Sequence, residues 1–323
     1  MAVPLYQTRR GMTLVELLVV VAILGLLSVV VLPNLSNPGD ARKAREAARA
    51  VSGFIANVQS RAIGTRGGAG LWIEPLPNAI TVGSVQHIVA IDLFAAQIPD
   101  PYAGEAINSV VTVNPNGALA NLTFQPNGSF VLPSSLVSSL NLAIRFANSP
   151  ALFRLSNVNS NANPPSAVAA MDASRNQTPS STAWPVADVN GVGYEVFLPA
   201  TKDSSTSLTL ANGMAIDLTW TSLGASGPPI NQNPSQVLYD SSGRPVSVVR
   251  SSAQSEPLVD PVCLLVAPLE MIQEDTCFTK PGAYWVAIDP RGGAPRVAEV
   301  VLNAADVLAS QQYVRQSTFQ EGR

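Results

Sequence analysis

Histidine, cysteine and charge are all scarce in this sequence, and their scarcity limits the chemistry that the chain can carry. In 323 residues there are one histidine and two cysteines. A hydrolytic triad needs a general base. The single candidate, His87, lies in Val85-Gln86-His87-Ile88-Val89, which alternates like a strand and has no nucleophile motif beside it. We expect His87 to be a half-buried strand residue. The sequence therefore predicts no catalytic residues, no metal site and no cofactor, and we do not expect an enzyme.

Charged residues make up only 13% of the chain, and the formal net charge is −3 at pH 7. A weakly acidic protein has no general attraction for nucleic acid. The sequence also lacks the Gly-x-x-x-x-Gly-Lys-Ser/Thr pattern of a phosphate-binding loop. Nucleic acid is therefore not an expected partner.

Cys263 and Cys277 are the only cysteines. An oxidising compartment would let them pair, and a disulfide closing a loop of that size would stabilise the fold by about 3 kcal/mol. Two buried thiols are the alternative. A zinc site is not expected, because His87 is the only histidine.

What the sequence does contain is one long apolar run, from Met12 to Leu32, which Pro33 stops. As a helix it would be about 31 Å long, enough to cross a bilayer. Its single charge is Glu16. A carboxylate in a membrane helix costs about 2.5–3.5 kcal/mol on insertion scales, so it needs a positive partner. Cleavage after Gly11 would create that partner, the α-amine of Met12, on this or a neighbouring copy.

An ordinary secretory signal is the alternative for this stretch. Such a signal has a basic start, an apolar run of about 7–15 residues and a small-residue cleavage site after the run. Here the run is longer, carries its charge inside, and continues into Leu32-Pro33-Asn34-Leu35 rather than an Ala-x-Ala pattern.

The heptapeptide Gly11-Met12-Thr13-Leu14-Val15-Glu16-Leu17 resembles the class III signal of type IV pilins and type II secretion pseudopilins. The resemblance implies that a prepilin peptidase cuts after Gly11 and that Met12 becomes the N-methylated first residue. It also implies that Glu16 neutralises a neighbour's amine during filament assembly. Phenylalanine is commoner in that family at the position of Met12.

The same resemblance suggests the organisation of the chain and its partners. Gly25 and Pro33 fall where the family often has residues that loosen the helix. The expected segments are a leader at 1–11, a transmembrane and filament-core helix at 12–33, an amphipathic second half at 34–64 and a β-rich head at 65–323. The implied partners are the peptidase, other pilins or pseudopilins through the N-terminal helix, and an inner-membrane assembly platform.

Orientation follows from Arg9 and Arg10, which precede the apolar run and should stay cytoplasmic. The expected location is therefore a single pass through a bacterial inner membrane, with the head in the periplasm, and later a filament. The length of the head admits one large unit or two lobes.

The segment from Asp40, the expected helix cap, to Ile63 has apolar residues at helical spacing and predicts an amphipathic helix. The strings from Ala41 to Arg49 and from Gln59 to Gly68 resemble the H-type minor pseudopilins, the GspH/FimT family. Any basic amphipathic helix is the alternative interpretation of these residues.

After Gly70, short β-branched and aromatic runs between turn residues predict an antiparallel head, and so an α+β, pilin-like fold. The predicted strands are Leu71–Glu74, Ile80–Asp92, Val110–Val113, Leu142–Phe146, Leu152–Leu155, Gly193–Leu198, Leu208–Leu210 and Met214–Trp220. Hairpins are predicted at Leu122–Val131, Val237–Val249 and Trp285–Val300. Ser156–Thr182 is predicted as a long surface loop or lobe boundary, and Ala304–Gln316 as a final helix.

The sequence thus favours a filament subunit, a minor pseudopilin of a type II secretion system or of a related type IV pilus. The alternative is a minor pilin whose head is a binding module for a secreted substrate, a surface or DNA. For DNA, Gly243-Arg244-Pro245-Val246 offers only one arginine in a chain of acidic net charge.

Overall fold

The computed structural model describes residues 14–15, 17–24, 38–126, 130–132, 142–149, 151–171, 184, 191–211, 213–223, 234–250, 254–304 and 306–320. Besides the helical residues 14–15 and 17–24, the helices are α1 (Pro38–Ile63), α2 (Leu269–Gln273) and α3 (Val307–Gln320). The strands are β1 (Ala69–Pro75), β2 (Ile80–Val82), β3 (Val85–His87), β4 (Val89–Gln97), β5 (Val110–Asn116), β6 (Leu119–Gln125), β7 (Ala143–Phe146), β8 (Leu152–Asn159), β9 (Ser166–Met171), β10 (Tyr194–Phe197), β11 (Thr201–Thr209), β12 (Met214–Leu223), β13 (Ser235–Tyr239), β14 (Pro245–Arg250), β15 (Gln254–Pro257), β16 (Val262–Pro268), β17 (Tyr284–Ile288) and β18 (Arg296–Glu299).

Ten strands form one antiparallel sheet in the order β15-β14-β13-β1-β4-β12-β16-β17-β18, with β11 paired to β4. Both faces of this sheet are covered. Along β16, Leu264 and Val266 belong to the apolar cluster under α1, whereas Cys263 and Leu265 belong to a cluster on the other face that includes Val314 of α3. Because side chains alternate along a strand, all seven residues of β16 are buried.

Helix α1 packs on the sheet through the apolar face that its sequence predicts. Its buried residues are Ala44, Ala47, Ala48, Val51, Ile55, Val58 and Ala62. The helix begins at Pro38, before the expected cap Asp40. Proline is tolerated in a first helical turn because a backbone N–H there has no hydrogen-bond partner within the helix. At the other end, Gly68 has φ +84°, and a Cβ there would lie 2.0 Å from the carbonyl oxygen of Tyr239. Only glycine lets the chain turn this closely into β1.

Side chains of α1 also make polar contacts with the edges of the sheet. Ser52 Oγ donates to the Pro295 carbonyl at 3.2 Å, and Gln59 Nε2 donates to the Gly293 carbonyl at 3.2 Å. Arg61 Nη2 lies 2.9 Å from Asp203 Oδ2 on β11. The helix is therefore tied to the sheet at several points along its length.

A second sheet is inserted where two neighbouring strands of the first sheet would otherwise meet in a turn. The chain leaves β4 at Gln97 and returns in β11 at Thr201, and these two residues pair directly. Between them lies an antiparallel sheet of six strands in the order β10-β7-β8-β9-β6-β5. An insertion at such a junction leaves the hydrogen-bond ladder of the first sheet intact.

The six strands close into a ring around their own core. Val111 on β5 and Val192, just before β10, exchange both backbone hydrogen bonds, with N···O distances of 2.8 and 2.9 Å. The enclosed side chains include several aromatics. Phe124 and Phe130 stack with ring centroids 3.7 Å apart, and Tyr194 meets Phe124 edge to face at 5.0 Å. This core is separate from the two clusters that flank the first sheet.

Several predicted elements are confirmed. The hairpin at Val237–Val249 is formed by β13 and β14, and the one at Trp285–Val300 by β17 and β18. The final helix is present as α3. The predominantly antiparallel head is also confirmed.

Other predictions were wrong. Ile80–Asp92 is not one strand, because Gly83 (φ +59°) turns the chain between β2 and β3 before β4 begins. Leu122–Val131 is not a hairpin, because β6 pairs with β5 and β9, and residues 127–129 of the proposed turn lie outside the described residues. The first part of the predicted loop Ser156–Thr182 is largely strand, since β8 extends to Asn159 and β9 follows, while residues 172–182 lie outside the described residues.

The predicted long N-terminal helix is described only in parts. Residues 14–15 and 17–24 are helical, and α1 forms the second half. Within the ranges that the structure describes, no helix is both long enough and apolar enough to span a membrane.

The contact between Arg61 and Asp203 generates a pH-dependent prediction. Hydrogen bonds lower the pKa of Asp203 from 3.8 to about 2, and the bond from Ser205 has a larger effect than the bond from Arg61. A carboxyl whose pKa is depressed on folding stabilises the fold above its unfolded pKa, and this contribution is lost as pH falls through the folded pKa. Since the pair is partly exposed, we expect Asp203→Asn to lower the free energy of unfolding by no more than about 1 kcal/mol at neutral pH.

The difference between wild type and Asp203→Asn should shrink as pH falls from 3.8 to about 2, as measured by urea denaturation. Glu46→Gln is the matched control, because Glu46 pairs with Arg42 within α1 and does not join the helix to the sheet. A difference that stayed constant over this pH range would contradict the assignment.

Candidate functional site

The N-terminal helical pieces present bare apolar surface. Leu14 is 80% exposed, Leu18 62% and Leu24 58%, and the large apolar side chains between them are exposed as well. A contiguous apolar surface of this kind marks contact with a membrane or with other proteins. The exposed N-terminal pieces are therefore a candidate functional site.

The residues predicted to act in this segment lie outside the described ranges. They are Gly11, Met12, Glu16, Gly25 and Pro33. Their roles in cleavage, methylation, assembly and helix loosening stay predictions. The described residues do show that the segment precedes α1, a helix that is fixed to the head by its buried face.

A buried hydrogen bond between His87 and Asp217 is the second notable site, and it corrects the expectation for His87. His87 ends β3 and is 1% exposed, so it is fully rather than half buried. Its Nδ1 lies 2.9 Å from Oδ2 of Asp217 on β12, a carboxyl that is itself completely buried. Burial raises the pKa of Asp217, while the hydrogen bond to His87 opposes that shift.

The surroundings of this pair come from a bulge in β12. The pairing of β12 with β16 shifts register between Asp217 and Ser222. Within the bulge, the Thr219 N–H donates to Asp217 Oδ1 at 2.9 Å, and Thr219 Oγ1 accepts from the Ile88 N–H at 2.8 Å. The bulge therefore forms hydrogen bonds with the end of the β2–β3 hairpin and places the Asp217 carboxyl next to His87.

An Asp–His pair is part of a hydrolytic triad, so the other ring nitrogen matters. His87 Nε2 lies 3.8 Å from Asp275 Oδ1 and has no hydrogen-bond partner among the described residues. In the part of the chain that the structure describes, no cluster of three or more His, Cys, Asp or Glu residues could hold a metal ion. The hydrogen bonds from His87 to Asp217 and from Ile88 to Thr219 join the end of the hairpin to β12.

Both cysteines lie in the apolar cluster next to this pair. Cys263 is on β16 and Cys277 follows α2, and both are buried thiols in the structure. Burial, with the charges of Asp217 and Asp275, raises the pKa of Cys277 to about 12. Since the thiolate is the reactive form, Cys277 is not activated as a nucleophile at neutral pH. The Cys263–Cys277 disulfide stays a prediction for an oxidising compartment.

A cavity of about 360 Å³ opens between the two sheets. Phe197 and Leu198 line one side of it, and Leu238 and Val249 line the other. None of the described residues that line it is charged. Its size and apolar walls are typical of ligand pockets.

Sequence reasoning missed Asp217, Asp275 and this cavity. A signal for Asp217 was available, because it is the one charge in the apolar strand pattern Met214-Ala215-Ile216-Asp217-Leu218, and a buried charge requires a partner. The partner itself could not be identified, because His87 is distant in sequence.

Comparison with known proteins bears on the N-terminal segment. Residues 7–32 match the family model of the prokaryotic N-terminal methylation motif. No curated protein and no solved structure matches the chain. The motif marks the chain as a precursor of the type IV pilin-like or pseudopilin kind, which is processed by prepilin peptidase, assembles with other pilins and passes from a membrane-anchored state into a filament.

The His87–Asp217 pair generates a prediction for stability. Removing one partner of a buried hydrogen bond leaves the other polar group unsatisfied, at a cost of about 1–3 kcal/mol. We therefore expect His87→Ala to lower the free energy of unfolding by about that amount, as measured by urea denaturation. The double variant His87→Leu/Asp217→Leu replaces both polar side chains and should recover most of the loss. A neutral effect of His87→Ala alone would show that the pair does not stabilise the hairpin.

Proposed function

We propose that this protein is a structural subunit of a pilus-like filament, a minor pseudopilin of a type II secretion system or of a related type IV pilus. The observation that carries the proposal is the methylation motif at residues 7–32, followed by a helix that packs on an antiparallel head. In this proposal the apolar segment spans the inner membrane until the subunit is extracted into the filament. Cleavage after Gly11 and methylation of Met12 come first.

The shape of the head supports a minor rather than a major subunit. Beyond the ten-stranded sheet, the head carries a second six-stranded sheet inserted between β4 and β11. A head of this bulk is hard to repeat along a closely packed shaft. The H-type subfamily is proposed on the alanine- and arginine-rich character of α1 and the hairpins of the head.

The head acts by contact rather than by catalysis in this proposal. Its buried histidine is engaged with Asp217, and the pKa of Cys277 is raised to about 12. Neither group is arranged as a nucleophile or as an accessible base.

A binding module is the second candidate function, and the cavity between the sheets favours it. In that case the head would recognise a secreted substrate or a surface through an uncharged apolar group, because none of the described side chains that line the cavity is charged. The two functions are compatible, since a filament subunit can present such a head at the tip.

Processing gives the first test. By resemblance to the family, the peptidase tolerates little beyond a very small side chain before the cut, so Gly11→Leu should block cleavage. Mass spectrometry of the membrane fraction should find the full precursor for this variant, and for wild type a chain that begins at methylated Met12. Gly25→Ala, a glycine change beyond the cleavage site, should be processed normally. If Gly11→Leu still yielded a chain beginning at Met12, the cleavage assignment would be wrong.

Assembly gives the second test. Glu16→Leu removes a charge that costs a few kcal/mol in the membrane, so the variant should be inserted and cleaved normally. In a filament, the incoming amine of Met12 would then be buried unpaired, at a cost of about 3–5 kcal/mol. We expect mature protein to accumulate in the membrane and to be poorly recruited to filaments, as measured by quantitative immunoblotting of sheared filaments.

The conservative variant Glu16→Asp keeps the charge and should retain part of the recruitment. Normal recruitment of Glu16→Leu would argue against the contact, or would place the subunit at the filament tip, where it has no neighbour above it.

A further inference from the structure

The N-terminal half of α1 concentrates positive charge on its exposed face. Arg42, Arg45 and Arg49 recur at helical spacing, opposite the buried alanines, and all three are exposed. Lys43 adds a fourth cation beside them. The chain as a whole has a net charge of −3 at pH 7, so this positive cluster is opposite in sign to the protein's net charge.

The described contacts place Glu46, Glu270 and Glu274 beside the cluster, and the sequence adds Asp40 just before it. Glu46 pairs with Arg42 at 2.9 Å, but the two side chains are 60% and 82% exposed, so the pair is weakly held. Glu270 and Glu274 lie beside Ala41, and Glu274 is already paired with Lys280 at 2.6 Å. Arg45 and Arg49 lie on the exposed face of α1.

The helix itself does not benefit from these charges. Positive side chains are favourable in the last turn of a helix, whereas Arg45 and Arg49 lie in the interior of α1, beyond the reach of the dipole at either end. Nor do they fill space in the head, because the packing of α1 uses the opposite face. An external anionic partner would account for them.

The position of the cluster along the chain identifies that partner. The methylation motif ends at residue 32, and Arg42 follows ten residues later. Ten residues span about 15 Å as a helix and at most about 35 Å when extended. While the apolar segment is in a membrane, Arg42 is therefore within reach of its headgroups, and Arg45 and Arg49 follow it within about two turns of α1.

We infer that Arg42, Arg45 and Arg49 dock α1 onto anionic phospholipid headgroups of the membrane that holds the apolar segment, before the subunit enters a filament. This inference rests on the proposed membrane-anchored state. It adds a surface contact that holds the head against the bilayer. Extraction of the subunit then requires this contact to be released.

The test uses the full-length protein in liposomes of phosphatidylcholine alone or mixed with phosphatidylglycerol. A fluorophore is attached at Ala50→Cys, an exposed position beside Arg49, while the native cysteines are buried. Lipids with a nitroxide on the headgroup quench the fluorophore when α1 lies on the surface. Quenching should be stronger with phosphatidylglycerol and weaker in high salt, because the Debye length falls from about 8 Å at physiological ionic strength to about 3 Å at 1 M.

The variant Arg42→Gln/Arg45→Gln/Arg49→Gln should lose the effect of phosphatidylglycerol. Each basic residue near an anionic surface contributes about fivefold to binding, so the docking constant should fall by about a hundredfold. Arg66→Gln/Arg154→Gln/Arg244→Gln removes the same charge from exposed sites outside α1 and should behave as wild type.

Flotation of the same liposomes separates the two proposals. Protein that fails to float with phosphatidylcholine liposomes overturns the membrane-anchored state and, with it, the docking surface. Protein that floats but shows equal quenching in both lipids overturns the docking surface alone, and so does an equal loss in the control variant. Loss of self-association in the arginine variant without any lipid effect would assign the face to a second copy and overturn the inference.

Discussion

The burial of one face of α1 against the ten-stranded sheet is the constraint on which the rest of the structure depends. Small alanines near the start of the helix and larger Val51, Ile55 and Val58 further along bring it onto the sheet. Each fully buried Val or Ile contributes about 1.5–3 kcal/mol. Because this face is buried against the sheet, only the opposite face of α1 is exposed for contacts outside the chain. The same attachment links the N-terminal apolar segment to the head.

The second sheet shows how a head can grow without disturbing that arrangement. Its strands are inserted between β4 and β11, whose residues Gln97 and Thr201 still pair across the junction. The insert closes on itself through Val111 and Val192 and fills its interior with aromatic rings, so it needs little from the first sheet for its core. What the two sheets share is the apolar cavity between them, which neither would form alone.

Local patterns predicted α1 and two hairpins well, although they missed β9, which fell in a predicted loop. The helical spacing of α1 and the turn residues of the β13–β14 and β17–β18 hairpins were sufficient. They failed for β16, which was not predicted as a strand, because burial on both faces removes the alternation that marks one. They failed again at β6, where a Pro-Asn-Gly turn signal lost to pairing with β5, a partner just upstream. Propensity is a weak guide when tertiary pairing competes with it.

The sequence by itself determined the N-terminal motif, the amphipathic helix and the antiparallel character of the head, since each is written in residues close together along the chain. Only the tertiary structure decided that His87 meets Asp217, that Cys263 and Cys277 lie in one apolar cluster, and that the second sheet closes around its own core. These depend on strand order, and strand order depends on which distant segments bury each other's apolar surface. A single sequence does not state those pairings, because many of its short apolar runs are interchangeable by composition.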